Sequence, residues 1–294
     1  MGTRIRNLVL ALSVVVLAAA GLAGLARAEP GTSILDVDSV LKWHGFLAKP
    51  LSPVGKLYLT DVSGIEGACS GTLVGRSLVL TAAHCVFANG EERGDPRAVG
   101  YMRSIEFVPG HVFGEDRKVA SRPYGTWSFH SVRVHPRYIT GDEAFDFALI
   151  ELAPDASGRL AGDVVGAYRV LFGLDWRSSM RVRAVGYPAG GWFGSNPSAT
   201  YGNGQYACDS TYGGFLVPLD GGRDPVIRCT MTGGSSGGPW LRRAKDGWDV
   251  VGLNSRGVGL EIQGDEVGQT MISPAFGQGF AAFYRSFART LVYE

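Results

Sequence analysis

The sequence predicts an all-β protein: two packed antiparallel β-barrels followed by a C-terminal α-helix. Three observations predict it. Glycine occurs 43 times in 294 residues, about twice ordinary usage; the glycines are scattered without a collagen-like period and read as turns and bulges. Short runs of β-type residues alternate with turn residues along most of the chain. Near its end Phe280, Phe283, Tyr284, Phe287 and Leu291 recur at helical spacing, which predicts an amphipathic helix.

The elements follow in order. Arg4 and Arg6 precede an apolar run from Leu8 to Leu25, and Ala26-Arg27-Ala28 offers a small-x-small site before Glu29. Residues 1–28 are therefore read as a secretory signal peptide. A retained membrane anchor is the alternative, because the run is nearly long enough to span a bilayer. Residues 29–53 are mixed in character and read as a leader or N-terminal arm. Residues 54–155 form the first barrel, with strand-like runs at Lys56–Val62, Cys69–Val74, Ser77–Thr81, Ser104–Val108, Ser131–His135 and Phe147–Leu152. Pro154 to Asp163 is small and polar, a connection between halves. Residues 156–275 form the second barrel, with runs at Val182–Tyr187, Pro239–Arg242, Trp248–Leu253 and Gln269–Ile272. Residues 276–294 carry the helix. A chain of this length suits two packed barrels.

Charge and cysteine content bound the function. The formal net charge is +1, which gives no electrostatic case for nucleic acid or an anionic membrane surface. The four cysteines, Cys69, Cys85, Cys208 and Cys229, are even in number and lack the close spacing of a zinc knuckle. They agree with export to an oxidising compartment. Of three possible pairings, Cys69–Cys85 and Cys208–Cys229 join neighbours across short segments. Asp209, Asp220 and Asp224 lack the ligand spacing of a calcium loop. No metal and no cofactor are expected.

Three strings carry chemistry. Thr81-Ala82-Ala83-His84-Cys85 supplies a histidine, Asp146-Phe147-Ala148-Leu149 an aspartate, and Gly234-Ser235-Ser236-Gly237-Gly238-Pro239 a serine. A serine hydroxyl is a poor nucleophile at neutral pH; it needs a base within hydrogen-bond reach, and the base needs an acid to hold its tautomer. Asp142 is close to Asp146 but sits in Gly-Asp-Glu-Ala, a solvated turn. His44, His111, His130 and His135 lack the context of His84 and read as packing or surface residues.

These strings, in this order, resemble the trypsin/chymotrypsin-fold serine proteases, in particular secreted bacterial members and those grouped with the glutamyl endopeptidases. The resemblance covers roughly Val54 to the end. It implies two six-stranded barrels, with Ser236 as nucleophile, His84 as general base and Asp146 as its orienting acid. It also implies an oxyanion hole from the N–H groups of Gly234 and Ser236. Asn254-Ser255-Arg256-Gly257 matches a family strand that ends in Ser-Trp-Gly, and Ser255 lies 19 residues (255 − 236) after Ser236. Ser255 is thereby expected to point its hydroxyl at Asp146. The primary substrate pocket is expected to be framed by Thr230, Met231, Asn254 and Gly257, and to suit uncharged residues. The expected partner is a peptide or protein substrate. Neither nucleic acid nor, after signal removal, a membrane is expected, and the chain is expected to act as a secreted monomer.

Two departures and two alternatives accompany the resemblance. Ser235 stands where animal members carry the aspartate that pairs with a new amino terminus, and no Ile-Val-Gly-Gly-like start precedes the first strand. Activation of that kind is not expected. Gly234-Ser235-Ser236-Gly237-Gly238 also satisfies the G-x-S-x-G elbow of α/β-hydrolase esterases, where the histidine follows the serine; here every histidine precedes it. A catalytically silent, protease-shaped binding module is the other alternative, although no triad residue is missing.

Overall fold

The structure is a computed structural model, and the residues it describes are 27–28, 51–88, 99–113, 120–176, 180–188, 204–217, 223–229, 231–262 and 265–293. Of the expected signal peptide and leader, only 27–28 and 51–53 fall inside that set.

Six strands of the first half close on themselves. They are β1 (Val54–Thr60), β2 (Glu66–Leu73), β3 (Leu78–Thr81), β4 (Ser104–Pro109), β5 (Trp127–Val134) and β6 (Ala148–Leu152), joined as a barrel in the order β5-β6-β3-β2-β1-β4. Alternation along β1 aims Leu57 and Leu59 inward, as the period of two requires. Glycine is needed where strands crowd. A Cβ on Gly55 would sit 2.4 Å from the Phe107 ring.

The second half is a nine-stranded sheet. Its strands are β7 (Arg169–Val170), β8 (Arg181–Gly186), β9 (Tyr206–Val217), β10 (Asp224–Arg228), β11 (Pro239–Ala244), β12 (Gly247–Leu253), β13 (Arg256–Ile262) and β14 (Asp265–Ile272). The hydrogen-bonded order is β7-β12-β11-β8-β9-β10-β14-β13, and Arg27–Ala28 pairs with the far end of β9. All pairings are antiparallel except β7 with β12. The architecture is thus all-β and chymotrypsin-like, with one hydrogen-bond-closed barrel and one continuous sheet among the described residues.

Four of these strands are absent from the sequence reading. β9 contains Gly213-Gly214 and is irregular there; glycine inside a strand weakens its local signal. β10 opens with Asp224-Pro225, which reads as a turn. β13 contains Gly257 and Gly259. β7 is too short to register. In each, pairing partners far along the chain override weak local preference.

The expected C-terminal helix is α4, Gln278–Ala288, after the short helices α1 (Ala83–Val86), α2 (Pro136–Ile139) and α3 (Ala161–Val165). Phe280, Phe283 and Phe287 are buried on it. The Phe280 ring lies 4.7 Å from Phe147 and 4.0 Å from Phe276. The helix therefore packs its aromatic face into a core cluster shared by both halves, and each such ring contributes roughly 1.5–3 kcal/mol by leaving water. Cys69–Cys85 and Cys208–Cys229 are both disulfide-bonded.

Candidate active site

The site lies between the two halves. The turn after β3 ends in α1, which carries His84. A 3₁₀ turn, Glu143–Phe145, capped by Asp142, ends at Asp146 immediately before β6. Strands β3 and β6 are hydrogen-bonded neighbours, Ala148 opposite Thr81, so pairing alone brings the two residues together. Asp146 is buried, and its Oδ1 accepts the backbone N–H of His84 at 2.9 Å. Its Oδ2 lies 2.9 Å from His84 Nδ1 and also accepts the Ser255 hydroxyl at 2.6 Å. Burial works to raise the Asp146 carboxyl. The facing His84 charge, the hydrogen bonds from its ring and from Ser255, and the His84 backbone N–H outweigh that and lower it. A carboxylate only accepts, so the Nδ1 proton points at Asp146, and in the neutral imidazole Nε2 is left with the lone pair.

Ser236 sits in the turn before β11, packed against the turn that carries His84. Ser70 N donates to Ser236 O at 2.8 Å. A Cβ on Gly237 would come within 2.0 Å of Thr81 Oγ1 and 2.8 Å of Ala82 N, and Gly237 has φ +80°. Only glycine permits that contact and that conformation. Gly234 likewise has φ +91°. Among the described residues no backbone or side-chain acceptor takes the N–H of Gly234 or Ser236. Ser235 is turned inward: its hydroxyl donates to Thr232 O at 2.8 Å and the residue is 4% exposed. The chain after Ser236 enters a strand, not the helix an esterase elbow requires.

The other expected residues fall as follows. Thr230 lies outside the described residues. Met231 packs in the core of the second half with Trp240 and Cys229 rather than standing open. Asn254 is 1% exposed; its amide donates to Val185 O and Ser235 O and accepts from Trp240 Nε1. Every polar group of Asn254 is thus engaged inside the sheet. Gly257 is exposed at the base of the β13–β14 hairpin. In that hairpin Glu261 pairs with Glu266 toward the distal end.

Of the remaining histidines, His111 is buried beside the Tyr58 hydroxyl, His130 meets the Tyr293 ring, and His135 caps α2; His44 lies outside the described residues. Asp209 pairs with Arg183, and Asp224 is buried against Arg256. Asp220 is not described. The atoms of Cys69, His84 and Cys85 cluster, but the two sulfurs are bonded to each other and offer no thiolate to a metal.

A residue missed in the sequence is Arg256. It reaches the buried Asp224, the carbonyl of Glu143 at 3.1 Å and the Ser255 hydroxyl at 3.5 Å. With His84, Tyr138, Glu143, Asp146 and Ser255 it lines a cavity of about 220 Å³ beside the histidine. Its place directly after Ser255 was the available signal.

The model of the trypsin-like peptidase domain matches residues 69–253. The chain belongs to the trypsin-like peptidase family. It is 28% identical over 140 residues to exfoliative toxin A of Staphylococcus aureus, covering 47% of this chain and 43% of the toxin. It is 28% identical over 164 residues to glutamyl endopeptidase of Bacillus licheniformis, covering 53% and 46%. The chain thus spans less than half the length of these curated relatives. Among solved structures, the protease Anisep from Arthrobacter nicotinovorans is 26% identical with a TM-score of 0.63, covering 82% of this chain and 97% of that one. The thermostable serine protease AL20 from an extremophilic microorganism has the same identity and TM-score, with 82% and 98% covered. Among the described residues no helix is long and apolar enough to cross a membrane.

Proposed function

We propose that the protein is a serine endopeptidase in which Ser236, His84 and Asp146 act as a catalytic triad. The observation that carries this reading is the double hold of Asp146 on His84, through Nδ1 and through the backbone N–H. That hold aims Nε2 away from the carboxylate. Ser236 Oγ attacks the scissile carbonyl carbon while its proton passes to His84 Nε2, and Asp146 stabilises the imidazolium. The N–H groups of Gly234 and Ser236 receive the developing oxyanion, each such donor contributing about 3–4 kcal/mol in comparable sites. The C–N bond then breaks, the imidazolium proton goes to the leaving amine, and water repeats the sequence in reverse roles to release the acyl group. Two disulfides and the N-terminal apolar run support secretion.

The resemblance to glutamyl endopeptidase raises the question of a glutamate before the cut. Of the residues expected to frame the pocket, Asn254 has its amide engaged internally, and it carries no positive charge to meet such a carboxylate. Uncharged residues before the cut are the reading favoured here. The test is labelling with a fluorophosphonate together with hydrolysis of a protein substrate. Labelling at Ser236 that is lost in His84→Ala is expected. An active protein whose label sits on another residue, or a folded protein that neither labels nor cleaves, overturns the proposal.

A further inference from the structure

We infer that Ser70, on strand β2 of the first half, is a positioning residue for the oxyanion-binding loop of the second half. The inference rests on the reading of Ser236 as the nucleophile.

Ser70 is fully buried, and its N–H and its hydroxyl both reach the loop that carries Ser236. Its N–H donates to Ser236 O at 2.8 Å, and its carbonyl accepts from Thr81 Oγ1 at 2.8 Å. Its hydroxyl lies 2.9 Å from Gly234 O and 2.8 Å from Tyr187 N. The backbone N–H of Tyr187 can only donate, so it occupies a lone pair of the Ser70 oxygen. The single hydroxyl proton must therefore point at Gly234 O.

That fixes one peptide plane. The bond between Gly234 and Ser235 is held at its oxygen by Ser70 and at its nitrogen by Ser235 N–H donating to Thr232 O at 3.2 Å. A peptide is planar, so two anchors set its orientation. The N–H groups proposed to bind the oxyanion belong to the two peptides flanking this plane. Gly233-Gly234 offers little steric resistance to a peptide flip, because glycine populates both signs of φ. Hydrogen bonds hold the Gly-Gly segment in register, and Ser70 supplies two that cross from the first half, its N–H to Ser236 O and its hydroxyl to Gly234 O; only the second fixes the peptide between the oxyanion donors. Preorganised donors stabilise an oxyanion because they need no reorientation during reaction. A loop freed to flip binds substrate as before and loses its grip on the transition state.

The test compares wild type with Ser70→Ala, using kcat, KM and the affinity of a peptide boronate that forms a tetrahedral adduct. Expected is a fall in kcat of about ten- to a hundredfold, a KM within about threefold, and boronate affinity reduced by the same factor as kcat. Ser70→Thr, which keeps the hydroxyl, should recover most of the kcat. If Ser70→Ala does not fold, Ser70→Gly carries the same measurements. A folded variant with unchanged kcat, or with reduced kcat and undiminished boronate affinity, overturns the inference. Failure of the underlying reading is distinct: wild type would then not cleave, or Ser236→Ala would remain active.

Discussion

The indole of Trp240 donates through Nε1 to Asn254 Oδ1 at 2.8 Å, and neither residue is open to solvent. The same amide holds Ser235 O at 2.9 Å, so the residue before Ser236 is tied to the body of the second sheet. A histidine at this position has no equivalent set of donors. Asn254→His is expected to lower stability by about 2–4 kcal/mol, since the carbonyls of Val185 and Ser235 and the indole N–H lose partners in a buried place. It should not confer cleavage after glutamate. Thermal melts and peptide-library cleavage check both parts; a stable variant that newly prefers glutamate refutes them. In wild type the library should show cuts after uncharged residues, and dominance of Arg, Lys or Glu would refute that preference.

Against the opposing effect of burial, the charge and ring of His84, and then the Ser255 hydroxyl, hold the Asp146 carboxyl low. A carboxyl lowered in the fold adds stability above its unfolded value, near about 4, and that stability is lost as pH falls through the folded value. Ser255→Ala makes the folded value less depressed. Less stability is then gained, and acid unfolding is expected at higher pH than in wild type. Loss of one hydrogen bond to a buried charge should also cost about ten- to thirtyfold in kcat/KM. Circular dichroism against pH and steady-state kinetics are the readouts; an unchanged acid midpoint contradicts the assignment.

The two adjacent serines should separate cleanly. Ser236→Ala is expected to remove peptidase activity from a protein that melts normally. Ser235→Ala loses only the bond to Thr232 O, so about 1 kcal/mol of stability should go while most activity stays. The opposite outcome would move the nucleophile by one residue.

Lys56 is nearly fully buried; burial first, then the charge of Arg122, lowers its ammonium to about 8. Between about 8 and 10 the unfolded chain holds a proton the native chain has released, so stability rises with pH across that window. Burial raises the phenols of Tyr168 and Tyr187, so above about 10 stability falls again. Melting temperature should crest near about pH 10. Lys56→Met should raise it at neutral pH and flatten the rise. A steady decline from neutral pH in wild type would contradict this.

Much of the fold was legible because β1 to β6 and β11 to β12 alternate or run apolar, and because α4 shows helical spacing. Tyr206–Val217 and Asp224–Arg228 were not, because a glycine pair and an Asp-Pro step look like turns until distant strands supply their hydrogen bonds. At the site, motifs placed His84, Asp146, Ser236 and Ser255 because their chemistry constrains neighbouring residue types. How the Met231 and Asn254 side chains are held was not legible. Position along a strand says which residues are near, while side-chain direction depends on what packs behind them, here Trp240. Ser70 carried no motif, and Arg256 only its place after Ser255; their contacts exist only where two halves meet.

The aromatic rings of α4 also bear on how the chain reaches its native state. Phe147 meets Phe280, and Tyr284 Oη donates to Val74 O at 3.1 Å. The first half is thus covered by a segment more than a hundred positions downstream. Contacts so distant in sequence raise contact order and slow folding. As it emerges, the first half lacks the helix that covers Phe147 and must wait with that apolar face open until the helix arrives. Nascent chains paused before residue 278 should therefore expose apolar surface and depend on a holding chaperone.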